Sequence, residues 1–225
     1  MTHLPRLDRR SMLGGGIALL GAGIAGCSIA PDRDPVNTVP VAEPVIISAD
    51  EWGAMSPQGP PEVVHRRPDL IVIHHTAGPN TDDLSQEHAE ELARSIQRFH
   101  MESQGWSDSG QHFTVSRGGS VLEGRVGSLD ASRTGSEFVQ GSHAYGANDA
   151  SVGIENEGTY NTEEMPAAQW DALVALTAWL CTQHRVQPSG IVGHRDVTNT
   201  DCPGDWLYGR VARLRRDVAA VLHGG

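Results

Sequence analysis

There is no lysine in this 225-residue chain. All 17 basic side chains are arginines, set against 28 aspartates and glutamates, and the formal charge is −11. A catalytic lysine is therefore excluded. Nucleic acid is a poor partner too, because phosphate binding needs clustered arginine and lysine. Cysteine is scarce, with only Cys27, Cys181 and Cys202. The apolar stretch near the start, Met12 to Gly26, has about 15 residues and is rich in glycine, where a stable membrane-spanning helix needs about 20 good helix formers. No internal repeat is visible.

The front of the chain reads as an address. Arg6, Arg9 and Arg10 precede the apolar stretch, and Arg9-Arg10-Ser11-Met12-Leu13 resembles a twin-arginine export signal. Ile24-Ala25-Gly26-Cys27 resembles a lipoprotein cleavage box, which would leave Cys27 as a lipidated N-terminus on the outer side of the cytoplasmic membrane. Simple secretion with Cys27 removed is the alternative. Residues 27–45 hold Pro31, Pro35, Pro40 and Pro44 and lack helical or strand periodicity, so they are expected to be a tether. Residues 46–225 are enough for one domain with one core. After export, Cys181 and Cys202 remain as thiols, and a disulfide between them must be weighed. Cys181 lies on the apolar face of an expected helix and suits a buried small hydrophobe.

Periodicity gives a coarse fold. Leu70 to His74 is a short apolar run with β-branched residues, expected as a strand buried on both faces. Thr81 to Ser103 reads as a helix, with Leu84, His88, Leu92, Ile96, Phe99 and His100 near helical spacing and Thr81 or Asp82 as N-cap. His112–Ser116 and Ser120–Gly124 read as a hairpin, and Ser151–Glu157 as a strand. Pro166–His184 reads as a helix, Ile191–His194 as a strand, and Trp206–Leu222 as the last helix. The alternation predicts an α/β domain with a mixed central β-sheet flanked by α-helices.

What stands out is a set of metal-ligand residue types. His74 and His75 end the apolar run. His194 and Cys202 lie in Gly193-His194-Arg195-Asp196-Val197-Thr198-Asn199-Thr200-Asp201-Cys202-Pro203-Gly204. Two imidazoles and one thiolate suit Zn²⁺, and three protein ligands leave a fourth position open, as in catalytic zinc sites. Residue spacing leaves open whether His74 or His75 faces the metal, because consecutive strand residues point to opposite faces.

These segments resemble the zinc amidase and peptidoglycan recognition protein family. Val72-Ile73-His74-His75-Thr76-Ala77 is similar to its first ligand segment, and Gly193-His194-Arg195-Asp196 with Cys202-Pro203-Gly204 to its last. Between them, in the family's order, come Glu51-Trp52-Gly53-Ala54, Gln97-Arg98-Phe99-His100-Met101, Gly105-Trp106-Ser107-Asp108, Gly119-Ser120-Val121-Leu122-Glu123-Gly124-Arg125, Gly141-Ser142-His143 and Ser151-Val152-Gly153-Ile154-Glu155. The resemblance runs from about Ile47 to the C-terminus.

The resemblance implies the family's fold, zinc held by His74, His194 and Cys202, and peptidoglycan or muropeptides as substrate. The implied reaction is hydrolysis of the amide between N-acetylmuramic acid and L-alanine. Some members carry a catalytic Glu in a Gly-Ile-Glu motif, matched by Glu155; others use a Tyr from Asp-x-Gly-Tyr-x-Phe. Here that segment is Asp108-Ser109-Gly110-Gln111-His112-Phe113, with Gln111 in the tyrosine's place. Gln111 cannot act as a general base, so Glu155 is the expected proton acceptor. Thr200 matches the position of an oxyanion donor. His112, His143 and Gln111 match positions that line the cleft and are expected to touch substrate, whereas Arg125 and Trp106 are expected to hold the fold. Family members that bind without cutting typically lack the cysteine ligand, and Cys202 is present. A monomer is expected.

Overall fold

The structure, a computed structural model, describes residues 39–224. The twin-arginine segment and Cys27 lie outside the described residues. Thirteen regular elements follow in order: β1 (Ile46–Ile47), β2 (Val63–Val64), β3 (Leu70–His75), α1 (Gln86–Arg98), β4 (Phe113–Val115), β5 (Val121–Glu123), α2 (Ser128–Thr134), β6 (Phe138–Val139), β7 (Ser151–Asn156), α3 (Ala167–His184), β8 (Ile191–Gly193), α4 (Asp205–Tyr208) and α5 (Val211–Leu222). Six strands form one mixed sheet in the order β1-β5-β4-β7-β3-β8, and β2 pairs with β6 in a separate antiparallel ribbon. The expected mixed sheet flanked by helices is what the chain forms.

The sheet has two unlike faces, because side chains alternate along each strand. One face carries Ile71 and Ile73 from β3, Phe113 and Val115 from β4, Val152 and Ile154 from β7, and Ile191 from β8, all within the main apolar cluster. Helices α3 and α5 cover it, contributing Leu173, Leu176, Leu180, Leu214 and Val218. The opposite face carries Val72 and His74 from β3, Thr114 from β4, and Ser151, Gly153 and Glu155 from β7. There α1 packs over the β5 end, where Ala89, Ala93, Leu122, Trp52 and Ala49 form a second, smaller cluster. Loops cover what α1 leaves of this face.

Several elements differ from their expected limits. Helix α1 starts at Gln86, not near Thr81. Thr81 Oγ1 accepts from the Asp83 N–H (3.1 Å), Asp83 Oδ1 from the Ser85 N–H (3.0 Å), and Ser85 Oγ from the His88 N–H (3.2 Å). These side-chain bonds hold the loop in turns and leave Ser85 as the cap. The buried row of α1 is Ala89, Ala93 and Gln97, while Leu84 and Phe99 of the expected face are exposed. Small alanines allow closer approach to Leu122 than the longer side chains beside them. The helix ends in a wider π turn, Phe99–Ser103, where the Gln104 N–H reaches the Phe99 carbonyl (3.2 Å). The last helix is two, separated at Gly209 and Arg210, with Arg210 at φ −106°, ψ 0° as the N-cap of the second.

Helix α3 is buried on more than the one apolar face expected for it, because it lies between the sheet and α5. Cys181 is sealed in it, and both Cys181 and Cys202 are unpaired thiols on opposite faces of the sheet. The disulfide alternative therefore falls away. The last residues of the expected tether lie along the domain: the Val39 N–H donates to the Leu222 carbonyl (3.0 Å) and Glu43 pairs with Arg133 (2.7 Å).

Leu173 is fully buried between α3 and the apolar sheet face. Leu173→Ala is expected to cost about 2–5 kcal/mol through lost burial and the cavity left behind. Urea unfolding checks this: the midpoint should fall with the slope unchanged.

Candidate metal centre

Strands β3 and β8 are parallel neighbours, so their C-terminal ends lie side by side. His74 is on the end of β3, His194 follows β8 directly, and Cys202 closes the loop beyond. That loop is tied back on itself. The Arg195 N–H donates to the Cys202 carbonyl (3.1 Å), the Gly193 N–H to Asp196 Oδ2 (2.9 Å), and the Thr198 N–H to the His194 carbonyl (3.0 Å). Arg195 also reaches Asp205 (2.6 Å) and the Asp201 carbonyl. A Cβ at Gly193 would meet the Tyr208 ring at 2.8 Å, so only glycine lets the chain pass there.

Folding brings one ligand atom each of His74, His194 and Cys202 within 4.8 Å of one another. Cys202 Sγ lies 3.7 Å from His74 Nδ1, and it accepts the His75 N–H at 3.4 Å. His194 Nε2 is buried without a hydrogen-bond partner among the described residues. The donor set, two imidazoles and one thiol brought together, fits a zinc ion.

Burial dominates the electrostatics. It holds the His74 imidazole well below its ordinary pKa, with His143 and His194 adding to the effect, and it lowers His194 too. Both rings are thus kept neutral, the form that ligates. Burial pushes the Cys202 thiol up to about 12; the Glu155 carboxylate adds to this and the His75 N–H opposes it. Cation binding would displace that proton.

Glu155 stands directly across from His74 in the β3–β7 register. Burial raises its carboxyl to about 7. No hydrogen bond engages it among the described residues. It lines a pocket of about 190 Å³ together with the three metal-ligand candidates, Thr200, Gln111 and His143. Thr200 Oγ1 accepts the Cys202 N–H (3.2 Å), which fixes the side chain while leaving its hydroxyl hydrogen free. Gln111 donates from Nε2 to Thr114 Oγ1 (3.0 Å), and its Oε1 is buried without a partner.

The other expected contacts sit differently. His112 lies behind the pocket: its Nδ1 accepts the Gly153 N–H (2.9 Å) and its Nε2 reaches the Val139 carbonyl (2.6 Å), leaving no ring nitrogen for a ligand. His143 lines the pocket, yet its Nδ1 meets His74 Nε2 (2.9 Å) and its Nε2 meets Ser151 Oγ (3.4 Å). His75 is engaged as well, its Nδ1 accepting the Tyr160 N–H (3.1 Å). Arg125 holds the fold, bonding Ser107 (3.3 Å) and Ser142 (3.0 Å). Trp106, expected only in the fold, lines the pocket beside His100, their rings 4.6 Å apart. His100 lines the wall from within the π turn that ends α1.

Residues 64–205 match the family model described as N-acetylmuramoyl-L-alanine amidase. The chain belongs to this amidase family. The names of its relatives include both amidases and recognition proteins. The chain is 34% identical over 167 residues to peptidoglycan-recognition protein SC2 of Drosophila melanogaster, covering 74% of this chain and 84% of that one. It is 32% identical over 168 residues to an N-acetylmuramoyl-L-alanine amidase of Homo sapiens, covering 73% of this chain and 27% of that protein. Among solved structures, Drosophila peptidoglycan-recognition protein LB superposes with a TM-score of 0.64 at 31% identity, over 75% of this chain and 92% of that one. Peptidoglycan recognition protein LE, solved in complex with tracheal cytotoxin, superposes with a TM-score of 0.64 at 27% identity, over 75% and 92%.

The buried histidines set the pH response of the metal-free protein. Burial holds His100 and His184 at about 4 and His112 at about 3, against about 6.5 in the unfolded chain. Folded values lie below unfolded ones, so their contribution is complete above about pH 6.5 and is lost as pH falls through the folded values. Glu155 has the opposite sign: raised from 4.5 to about 7, its contribution is complete below 4.5 and lost on the way to 7. The histidines outnumber it, so stability should drop between pH 7 and pH 5, by about 1.4 kcal/mol per pH unit for each net proton taken up on unfolding. Urea midpoints in chelator at pH 5, 6 and 7 measure this.

Proposed function

We propose that this protein is an exported zinc hydrolase that cleaves the amide between N-acetylmuramic acid and L-alanine in peptidoglycan or muropeptides. The observation that carries the reading is Glu155: an unengaged carboxyl raised to about 7, in strand register with His74 and in one pocket with His194 and Cys202. Family membership supports the substrate class, as does the bound tracheal cytotoxin in the structure of recognition protein LE, described there as monomeric diaminopimelic acid-type peptidoglycan.

Zinc held by His74, His194 and Cys202 would supply Lewis-acid activation of water and of the scissile carbonyl. The chain's own groups do the rest. Glu155 accepts a proton from the attacking water and delivers it to the departing alanine nitrogen, a role suited to a pKa near the working pH. Thr200 donates its hydroxyl hydrogen to the oxygen on which negative charge develops. Gln111 Oε1 offers an acceptor for a substrate N–H. Export through the twin-arginine segment and attachment through lipidated Cys27 would place this domain, as a monomer, against the cell wall.

The second reading is a recognition module that binds peptidoglycan without cutting it, favoured by the many relatives named as recognition proteins. A mere binder would need neither a thiol beside two imidazoles nor a carboxylate tuned to 7.

Glu155→Gln should retain zinc and fold but lose about 10²–10⁴ in turnover, since that is the scale of general base catalysis. Cys202→Ser should instead lose zinc. Metal analysis of each variant, with mass analysis of products from sacculi and small muropeptides, separates the outcomes. Zinc-loaded wild-type protein that binds muropeptides without releasing peptide would overturn the enzyme reading in favour of the binder.

A further inference from the structure

We propose that His143 is a positioning residue for His74, accepting the Nε2–H of that ring so that Nδ1 is the nitrogen presented to the metal. The proposal rests on zinc occupying the His74–His194–Cys202 cluster and concerns how this chain prepares one ligand for it.

The direction of the hydrogen bonds follows from the far end of a chain. Ser151 Oγ lies 2.7 Å from the Ala147 carbonyl. A carbonyl only accepts, so the Ser151 hydroxyl donates there and turns its lone pairs elsewhere. His143 Nε2 lies 3.4 Å from that oxygen and must therefore be the N–H that points at it. A neutral imidazole carries one proton, so His143 Nδ1 is a bare acceptor. His74 Nε2, 2.9 Å away, must then hold the hydrogen. Its remaining nitrogen, Nδ1, is left unprotonated, and it is the atom 3.7 Å from Cys202 Sγ. The Ala147 carbonyl, the Ser151 hydroxyl and the His143 ring thus agree on one tautomer for His74, the one that leaves Nδ1 free on the side of Cys202.

The surroundings are shaped to keep His143 in place. Asn148 Oδ1 accepts the backbone N–H groups of His143 (2.9 Å) and Ala144 (2.8 Å), fixing the loop. The ring lies flat against β7 at Gly153, where a Cβ would come within 2.5 Å of it, and Gly141 leaves room on the loop side, where a Cβ would come within 2.6 Å. With both nitrogens spent, His143 has no ring hydrogen bond left for substrate, although it lines the pocket.

The experiment compares wild type, His143→Leu and His143→Asn. Leucine removes the acceptor, whereas the asparagine Oδ1 can occupy the place of Nδ1. Zinc affinity by chelator competition should fall about 10–100-fold in His143→Leu, the usual cost of losing a group that orients a metal-bound histidine. His143→Asn should recover most of it. Circular dichroism and urea midpoints of the metal-free variants report whether the fold is intact. Nitrogen-15 spectra of zinc-loaded wild type should show His74 protonated at Nε2 and metal-shifted at Nδ1, a readout that needs no variant. Wild-type affinity in a folded His143→Leu protein, or a His74 ring deprotonated at Nε2 in the loaded wild type, would overturn the proposal while leaving the zinc reading intact. Wild type that takes up no zinc would overturn both.

Discussion

Three parallel strands, β7, β3 and β8, run to the same edge of the sheet, and the chemistry hangs on that shared ending. The apolar cluster beneath makes the arrangement rigid. Ile71, Ile73, Val152, Ile154 and Ile191 are fully or almost fully buried against α3 and α5, so the strands cannot slide or splay without opening the core. A rigid base matters because the metal-ligand residues come from segments far apart in sequence. Ligand atoms must meet within a fraction of an ångström, and side chains on strand ends can be held to that tolerance better than side chains on free loops.

The second constraint is neutrality. The chain is acidic, yet its functional face holds imidazoles, a thiol, an amide and hydroxyls, with Glu155 as its one carboxyl in the pocket. Dehydration disfavours charge on every one of these groups. Histidines stay deprotonated and the carboxyl moves toward neutral pH. A dication is then the natural partner, since it satisfies lone pairs that have lost their water and stabilises the ionised thiolate.

His194 and Cys202 stood out because they are chemically distinctive and fall within one segment, whereas His74 lies far away in sequence and was chosen over His75 only through the family resemblance of its flanking residues. Strands β3 and β8 were readable because they are dense in β-branched residues, whereas the two-residue strands β1, β2 and β6 and the short α2 are too brief to show a period and were not expected. The start of α1 was not readable, since it turns on competition between Thr81, Asp83 and Ser85 side chains and the helix backbone. Its buried face was not readable either, because burial there favours close approach at Ala89 and Ala93 over hydrophobic size. The roles of His112 and His143 were hidden for a different reason. A histidine's duty is set by what each ring nitrogen meets, and here the partners lie at Val139, Gly153, Ser151 and His74, far from their neighbours in sequence.

Alternation along β7 ties assembly to chemistry. Val152 and Ile154 face the apolar cluster, while Ser151, Gly153 and Glu155 take the opposite face, where Glu155 lines the pocket. Displacing this strand by a single position would drive a carboxylate and a glycine into the oily layer and turn two aliphatic side chains toward the imidazoles. Mispaired forms therefore carry a penalty on both faces at once. The site acts as a built-in proofreader of its own sheet, and natural variation along this strand should tend to preserve parity before it preserves identity.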